Sequence, residues 1–158
     1  MAQKNYGQWD QDTQYQVIKL NYMELNVRRL ADSDWDTLCE WWDAWPEWVN
    51  PPKDFLPDNG TGGLMVYKQN TLIAAGFIYY TNSKAALFEW VISNPKYREA
   101  DRKQAIELLI NAAEEVCKAN GVNYMFTIGR TKPLIETHRK LNWVVDDKPS
   151  YEITKKIN

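Results

Sequence analysis

Three basic side chains stand close together after an apolar segment in the middle of the chain. Arg98, Arg102 and Lys103 follow residues 87–92, which are apolar apart from Glu89, and they precede a run of apolar residues with helical spacing. This order predicts a buried strand that leads into an amphipathic helix. A helix N-terminus presents unpaired amides and the positive end of the helix dipole, so basic residues there favour an anion, most often a phosphate. The spacing therefore predicts a phosphate-binding site between the strand and the helix.

The overall composition limits the classes of function. The chain has 158 residues, a net charge of −2 and 44% hydrophobic residues, as expected for one globular domain. A nucleic-acid-binding protein would show a basic excess, so no nucleic-acid partner is expected. The longest apolar run, residues 72–80, is too short to cross a bilayer, so no membrane partner is expected. Cys39 and Cys117 lack metal-ligand spacing, which predicts reduced thiols in a cytoplasmic protein without a metal site.

The order of predicted elements indicates an α/β fold with a mixed, mostly antiparallel sheet. Strand-like composition recurs in residues 25–30, 64–68, 72–80, 87–92 and 124–128. Gln69-Asn70 is expected to form a two-residue hairpin turn. Three antiparallel strands would then lead into a β-α-β unit built on the last two strands.

Two further local predictions concern the ends of elements. Asp32 or Ser33 is expected to cap a first amphipathic helix, and residues 134–141 are expected to form a short helix. The strand-like segments 143–145 and 151–157 are expected to finish the sheet as a hairpin-like pair.

The segment around the basic residues resembles the acetyl-CoA-binding core of the GNAT superfamily of N-acetyltransferases. In that family a strand leads into Arg/Gln-x-x-Gly-x-Gly/Ala and a helix. The corresponding run is Arg98-Glu99-Ala100-Asp101-Arg102-Lys103, preceded by Pro95 and Tyr97. Both glycines are missing here, and Asp101 stands where the first one would be.

The C-terminal part of the chain carries a second resemblance to this family. Family members often have Asn-x-x-Ala-x-x-Leu-Tyr-x-Lys-x-Gly-Phe, with the tyrosine as general acid. In the corresponding run Lys140, Leu141 and Trp143 keep the register, Asn142 replaces the glycine, and His138 falls where the tyrosine would be.

The resemblance implies a GNAT-like acyl-CoA N-acyltransferase fold. It predicts an N-terminal extension over residues 1–24 and a single domain over residues 25–158, with acetyl-CoA bound where the sheet splays between residues 87–92 and 124–128. The backbone amides of three predicted cofactor-binding residues, Val91, Ile92 and Ser93, would bind the pantetheine arm of the cofactor. The pyrophosphate would be bound by the loop residues at the start of the helix, namely Arg98, Asp101, Arg102 and Lys103.

The same resemblance implies direct transfer of an acetyl group to the amine of a small molecule or a protein. Glu89 would accept the proton of the attacking amine, and His138 would protonate the departing thiolate of CoA. Asp43, Trp45 and Trp48 would border the acceptor groove, where aromatic rings and a carboxylate suit a cationic amine.

Each predicted site residue also has a structural interpretation. Asp101 and Gln104 fit a capping box, in which the carboxylate would occupy the amides that a phosphate needs. Glu89 could pair with a lysine or reach solvent where the sheet splays, and His138 could be a core histidine bonded to the backbone. The tryptophans could hold a proline-rich loop or form the interface of a homodimer. A catalytically inactive GNAT-fold binding protein, with its cofactor cleft filled or reused for a partner, is therefore the alternative function.

Overall fold

The computed structural model describes residues 24–157 of the 158-residue chain. The N-terminal extension expected over residues 1–24 thus lies almost wholly outside the described residues. The chain divides into two compact units, one that ends at Phe126 and one that begins at Thr127. Each unit is described by itself.

The first unit is built on a five-stranded sheet with the strand order β1-β2-β3-β4-β5. The strands are β1 (Leu25–Arg29), β2 (Gly63–Lys68), β3 (Thr71–Tyr80), β4 (Ala85–Ser93) and β5 (Tyr124–Phe126). Neighbouring strands are antiparallel except for β4 and β5, which are parallel. The predicted α/β class with a mixed, mostly antiparallel sheet is confirmed.

Two α-helices belong to the first unit, α1 (Trp35–Ala44) and α2 (Arg102–Ala119). Helix α2 connects β4 with the parallel strand β5 and so completes the predicted β-α-β unit. It ends where Gly121 adopts φ +75° and its N–H bonds the Lys118 carbonyl, while the Val122 N–H bonds the Cys117 carbonyl. This Schellman arrangement needs a left-handed residue, which glycine adopts without strain.

The middle strands are buried on both faces, which explains their nearly continuous apolar composition. Trp42 of α1 is fully buried and packs with Met65, Phe77 and Ile92 from three different strands. Helix α2 packs against β1, β2 and β3. It buries mainly small and aliphatic side chains there, namely Ala105, Leu108, Leu109, Ala112 and Ala113.

The connections in the first unit agree with the turn residues in the sequence. Gln69 and Asn70 join β2 and β3, and Gln69 has a φ of +53°. The proline-rich segment between α1 and β2 forms only short 3-10 turns, at Lys53–Phe55 and Pro57–Gly60. Proline lacks the N–H that a longer helix would require.

The predicted cap of α1 is wrong. A 3-10 turn, Asp32–Asp34, precedes the helix, and Asp34 rather than Asp32 or Ser33 occupies the N-cap position. The Asp34 carboxylate makes no bond to the helix; it accepts hydrogen bonds from the Ala31 N–H at 2.8 Å and from Arg28. A bidentate bond from a guanidinium is stronger than a bond from a neutral helix amide, so the Asp34 carboxylate pairs with Arg28 instead of capping the helix.

The second unit contains the short helix α3 (Lys132–Lys140), which confirms the predicted helix. The hairpin-like pair predicted after it is wrong, because residues 143–157 contain no strand. Val144, Tyr151 and Ile153 are 99%, 91% and 91% exposed. Strand-like composition describes residues that fit a half-buried pleated surface, and here no partner strand provides that surface.

Candidate functional site

Strand β4 is interrupted by a bulge opposite β3. Trp90 and Val91 together oppose the single residue Gly76, since the flanking pairs are Ala75 with Ile92 and Phe77 with Glu89. Such an extra residue bends the strand and disrupts its ladder locally. Two of the predicted site residues, Glu89 and Val91, therefore lie directly at an irregularity of the sheet.

The residue at the centre of the bulge, Trp90, has an unusual backbone conformation. Trp90 has a φ of +57°, a left-handed conformation that a bulky residue rarely adopts. Opposite it, a Cβ on Gly76 would lie 2.5 Å from the Phe88 ring, so only glycine fits there. Strained backbone of this kind persists only when the surrounding structure holds it, and it is common at functional sites.

The Trp90 ring is held by aromatic neighbours. Its centroid lies 5.7 Å from that of Trp48, 5.9 Å from that of Phe55 and 6.0 Å from that of Trp42. Phe55 is 46% exposed, so this aromatic cluster reaches the surface. Trp48, a predicted acceptor-binding residue, thus packs on the bulge of β4.

Strand β5 covers only the beginning of β4. The parallel register joins Ala85, Ala86 and Leu87 to β5 and ends there. The predicted pantetheine-binding residues Val91, Ile92 and Ser93 therefore lie in the part of β4 that has no β5 partner. Backbone polar groups along such an unpaired edge can bind an extended ligand.

Arg98 and Arg102 converge on the indole ring of Trp45. The guanidinium carbon of each arginine lies 5.7 Å from the ring centroid, within cation–π range. The Trp45 Nε1–H donates to the Ser93 carbonyl at 3.1 Å, and Arg102 Nη2 donates to Ser93 Oγ at 2.7 Å. Trp45, predicted at the acceptor groove, is thus brought together with three of the predicted cofactor residues.

This cluster is an excess of positive charge at the start of α2. Among residues 24–157, Arg98, Arg102 and Lys103 form no ion pair with any carboxylate. Burial lowers the pKa of Arg102, and repulsion from Arg98 lowers it further. Arg98 and Arg102, held at one indole ring without a carboxylate partner and beside the positive end of a helix dipole, form a favourable place for an external anion.

The Asp101 carboxylate does not occupy the helix amides. Oδ1 accepts a hydrogen bond from the Tyr97 hydroxyl at 2.6 Å, and Oδ2 accepts one from Lys68 Nζ at 3.0 Å. The bond from Tyr97, and after it the bond from Lys68, hold the pKa of Asp101 below its usual range. The capping box that the sequence suggested with Gln104 is therefore not formed, since Asp101 makes no side-chain bond to α2.

The amides of the first helical turn remain available as a result. The backbone N–H groups of Lys103 and Gln104 have no hydrogen-bond acceptor within the described part of the chain. Amides in this position are the usual donors to a bound anion.

Glu89 is buried beside the bulge. Its side chain is only 7% exposed, and the residue pairs with Phe77 of β3 immediately before Trp90. Asp43, in contrast, is exposed and accepts a hydrogen bond from Asn50 Nδ2 at 3.0 Å. The predicted base Glu89 and the predicted acceptor-side carboxylate Asp43 thus have different environments.

His138 lies in α3 of the second unit and is 3% exposed. Its Nδ1 lies 2.8 Å from the Leu134 carbonyl, and its ring packs edge to face on Trp143 with centroids 4.8 Å apart. A carbonyl only accepts, so Nδ1 carries the proton, and in the neutral ring Nε2 is an acceptor. The backbone bond and the burial agree with the structural interpretation of this histidine.

Sequence reasoning missed two features of this region, the bulge at Trp90 and the bonds that hold Asp101. The bulge at Trp90 carries no signal, because an extra apolar residue in an apolar strand changes no pattern. Lys68 and Tyr97 bind Asp101 from elsewhere in the first unit, and only the fold brings Lys68 near it. Gly76 in the middle of a strand was the one available hint, since such a glycine often marks a bulge.

Two negative observations apply to residues 24–157. None of the helices there combines the length and the apolar character needed to cross a bilayer. In the same residues, no group of three His, Cys, Asp or Glu side chains is arranged to hold a metal ion.

Comparisons with known proteins depend on structure alone. No family model matches the sequence, and no curated protein sequence matches it. Among solved structures, N-acetylglutamate synthase from Neisseria gonorrhoeae, complexed with coenzyme A and L-arginine, superposes with a TM-score of 0.60 at 9% identity. That match covers 73% of this chain but only 26% of the synthase, so this chain spans about a quarter of that protein.

Two further structures match over most of their length. The ribosomal-protein-S18-alanine N-acetyltransferase from Escherichia coli has a TM-score of 0.59 at 12% identity, covering 74% of this chain and 76% of that one. Diaminobutyrate acetyltransferase from Paenibacillus lautus, in complex with L-2,4-diaminobutyric acid and coenzyme A, has a TM-score of 0.56 at 16% identity, covering 75% and 74%. At such identities a likeness shows the fold, and this chain has the fold of the GNAT N-acetyltransferases.

Proposed function

We propose that this protein is an N-acetyltransferase that moves an acetyl group from acetyl-CoA directly to an amine. The observation that carries the proposal is the unpaired cluster of Arg98, Arg102 and Lys103 at the start of α2. It lies at the end of β4 in a fold shared with coenzyme A complexes. An excess of cations beside free helix amides supports binding of the CoA pyrophosphate.

The proposed cofactor site has two parts. The backbone of Val91, Ile92 and Ser93, beyond the end of the β5 pairing, would bind the pantetheine arm and polarise the thioester carbonyl. Arg98 and Arg102 would contact the pyrophosphate, together with the amides of the residues after Asp101. The missing glycines bring side chains close to this loop, which predicts weaker binding than a glycine-rich loop would give.

In the proposed reaction the amine nitrogen attacks the thioester carbon, the carbon–sulfur bond breaks, and the amine loses one proton. Glu89 would accept that proton, directly or through a water molecule, because a buried carboxyl group beside the bulge suits a general base. His138 would return a proton to the CoA thiolate. Since Nδ1 is bonded to Leu134, His138 would have to be protonated at Nε2 to do so.

A small-molecule amine is the proposed acceptor. Two of the matched structures contain L-arginine or L-2,4-diaminobutyric acid, and both compounds carry amino groups. Asp43, Trp45 and Trp48 would lie on the acceptor side, although Trp45 also contacts the arginines of the cofactor site. A protein amine, a homodimer and a cytoplasmic location remain predictions from the sequence.

The first test is binding of acetyl-CoA by calorimetry and by the shift in melting temperature. Ligand in excess should stabilise the protein according to RT ln(1 + [L]/Kd). No heat and no shift at millimolar ligand would refute the cofactor site.

The second test concerns the base. Glu89→Gln should lower turnover by about 10²- to 10⁴-fold and leave CoA affinity unchanged, because the amide keeps the size but cannot accept a proton. Glu107→Gln is the matched control, since Glu107 is equally buried at 6% exposure but lies within α2. Equal turnover for Glu89→Gln and wild type would remove Glu89 from the mechanism.

The third test separates the two interpretations of His138. If His138 is the acid, His138→Tyr should retain more activity than His138→Phe, because only tyrosine can donate a proton. If its role is structural, both variants should lose activity in step with about 1–3 kcal/mol of stability, from the loss of the bond to Leu134. Melting curves and transfer rates on both variants distinguish the two.

The alternative function is a GNAT-fold binding protein without catalysis. The absence of both loop glycines and the core-like environment of His138 favour it. Binding of CoA without transfer to any amine in a broad panel would support this alternative.

A further inference from the structure

We infer that Lys68 and Tyr97 are positioning residues that hold the Asp101 carboxylate away from the amides of α2, and so keep the proposed anion site unobstructed. This inference rests on the proposed function, because it concerns the same phosphate site. It explains how the site could tolerate an acidic residue where the family has a glycine.

The geometry shows that both oxygens of the carboxylate are engaged. Tyr97 donates to Oδ1 at 2.6 Å, and Lys68 binds Oδ2 at 3.0 Å. Tyr97 is a buried residue at 8% exposure, four positions before Asp101, and Lys68 lies at the end of β2. The carboxylate is thus held by two separate parts of the first unit.

Without these partners the same carboxylate would have an obvious alternative. Asp101 occupies the N-cap position of α2, where aspartate is among the preferred residues. A capping carboxylate accepts from the second or third helical amide, which here belongs to Lys103 or Gln104. These are the amides that have no acceptor within residues 24–157.

A capping Asp101 would oppose phosphate binding in two ways. It would occupy amides that the phosphate needs, and it would place a negative charge within contact distance of the ligand. In the observed position the carboxylate faces Lys68, which partly balances its charge and also pairs with Glu24 at 3.2 Å. The balance leaves Arg98, Arg102 and Lys103 to act on an external anion.

The experiment combines two measurements on a double-mutant cycle of Lys68→Met and Asp101→Ala. The first is hydrogen exchange at the amides of Lys103 and Gln104, followed by NMR without ligand. The second is the Kd for CoA by calorimetry. Tyr97→Phe is a second route to the same release, and Lys118→Met, at the far end of α2, controls for the loss of one positive charge.

Release of the carboxylate should have two linked effects. Lys68→Met should slow exchange at Lys103 or Gln104 by about fivefold, the protection expected of a side-chain cap, and should weaken CoA binding by on the order of tenfold. Tyr97→Phe should change both in the same direction but less, because Lys68 still holds one oxygen. Lys118→Met should change neither.

The Asp101→Ala background isolates the mechanism. Asp101→Ala alone should leave exchange at Lys103 and Gln104 unchanged, because the wild-type carboxylate does not cap the helix. In that background Lys68→Met should no longer slow exchange and should weaken CoA binding by clearly less than tenfold.

Three outcomes decide between the possibilities. Equal weakening by Lys68→Met in both backgrounds, with unchanged exchange, would mean that Lys68 acts only through its own charge, and would overturn the inference. Faster exchange in Asp101→Ala alone would show that Asp101 caps α2, and would overturn it as well. If the wild-type protein binds no CoA, the proposed function and the binding role fail, while the exchange data still decide whether Lys68 holds Asp101 off the helix.

Discussion

The two helices of the first unit begin in similar ways but differ in their charge. At each N-cap an aspartate turns from the helix to a cation of a neighbouring strand: Asp34 binds Arg28 of β1, and Asp101 binds Lys68 of β2. Near α1 the cations are also paired within the protein, Lys53 with Asp32 and Arg29 with Asp58, and Asp36 adds a negative charge in the first turn. At α2 three further cations, Arg98, Arg102 and Lys103, have no such partner within residues 24–157.

The two helix starts therefore have different roles. The Arg28–Asp34 pair is bidentate, with both distances at 2.7 Å, and Asp34 is only 4% exposed. Burial raises the pKa of Asp34, but the hydrogen bonds from Arg28 and from the Ala31 amide overcome it and lower the pKa on balance. The cations at the start of α1 are therefore paired and structural. At the start of α2, Arg98, Arg102 and Lys103 have no carboxylate partner within residues 24–157 and could bind an anionic ligand.

The largest expected effect is a loss of stability when the ion pair at the start of α1 is removed. Asp34→Asn should lower the free energy of unfolding by about 2–3 kcal/mol, because it removes the charge-assisted bonds from Arg28, which at 35% exposure stays partly hydrated. Urea denaturation measures the loss. Asp58→Asn, which removes the more exposed pair with Arg29, should cost less than about 1 kcal/mol. Similar costs for the two variants would contradict the special role of Asp34.

The next effect is a loss of CoA affinity when a cation at the start of α2 is removed. Arg98→Met and Arg102→Met should each weaken CoA binding by about ten- to a hundredfold, as expected for a lost hydrogen bond to a charged group. Arg98→Met should leave the stability of the free protein nearly unchanged. Arg102→Met should change it little, because loss of the bond to Ser93 Oγ is offset by relief of repulsion from Arg98. Calorimetry and melting curves report the two quantities separately. Arg139→Met, in the second unit, is the control, and a clear loss of stability without loss of affinity would assign the arginines to the fold.

A smaller effect is expected at Trp45, which joins the two arginines to the end of β4. Trp45→Phe keeps an aromatic face but removes the hydrogen bond to the Ser93 carbonyl, so it should weaken CoA binding by about 1 kcal/mol. Trp48→Phe provides the control, because Trp48 packs on Trp90. If both variants bind CoA like wild type, Trp45 does not position the arginines.

The smallest expected effect is a dependence of stability on pH. The pKa values of Asp34 and Asp101 are lowered in the folded protein. Their contribution to stability is therefore fully present above the unfolded value of about 3.9, and is lost as pH falls through the folded values. Urea denaturation from pH 6 to pH 3 should show this decline. Asp34→Asn should reduce the slope, and a slope equal to that of wild type would exclude Asp34 as a contributor.

The sequence by itself determined the order of elements in the first unit. Continuous apolar runs predicted β2, β3 and β4, helical spacing and Gly121 predicted α2, and Gln69-Asn70 predicted a tight turn. These features are local, because the period of apolar residues and the conformations open to glycine or asparagine act within a few residues. The basic cluster at the start of α2 was visible for the same reason.

Only the tertiary structure decided where the charged side chains point. The sequence predicted Asp32 or Ser33 as the cap of α1 and Asp101 as the cap of α2. In the structure Asp34 takes the N-cap position of α1 and binds Arg28, and Asp101 binds Lys68, so neither helix has a side-chain cap. Strands β1 and β2 bring Arg28 and Lys68 to these aspartates, and a carboxylate is bound more strongly by a cationic donor than by a neutral amide. The bulge at Trp90 and the missing strand pair after residue 142 have the same origin. Each depends on which backbone lies opposite, and that is fixed by the packing of the whole chain rather than by any stretch of it.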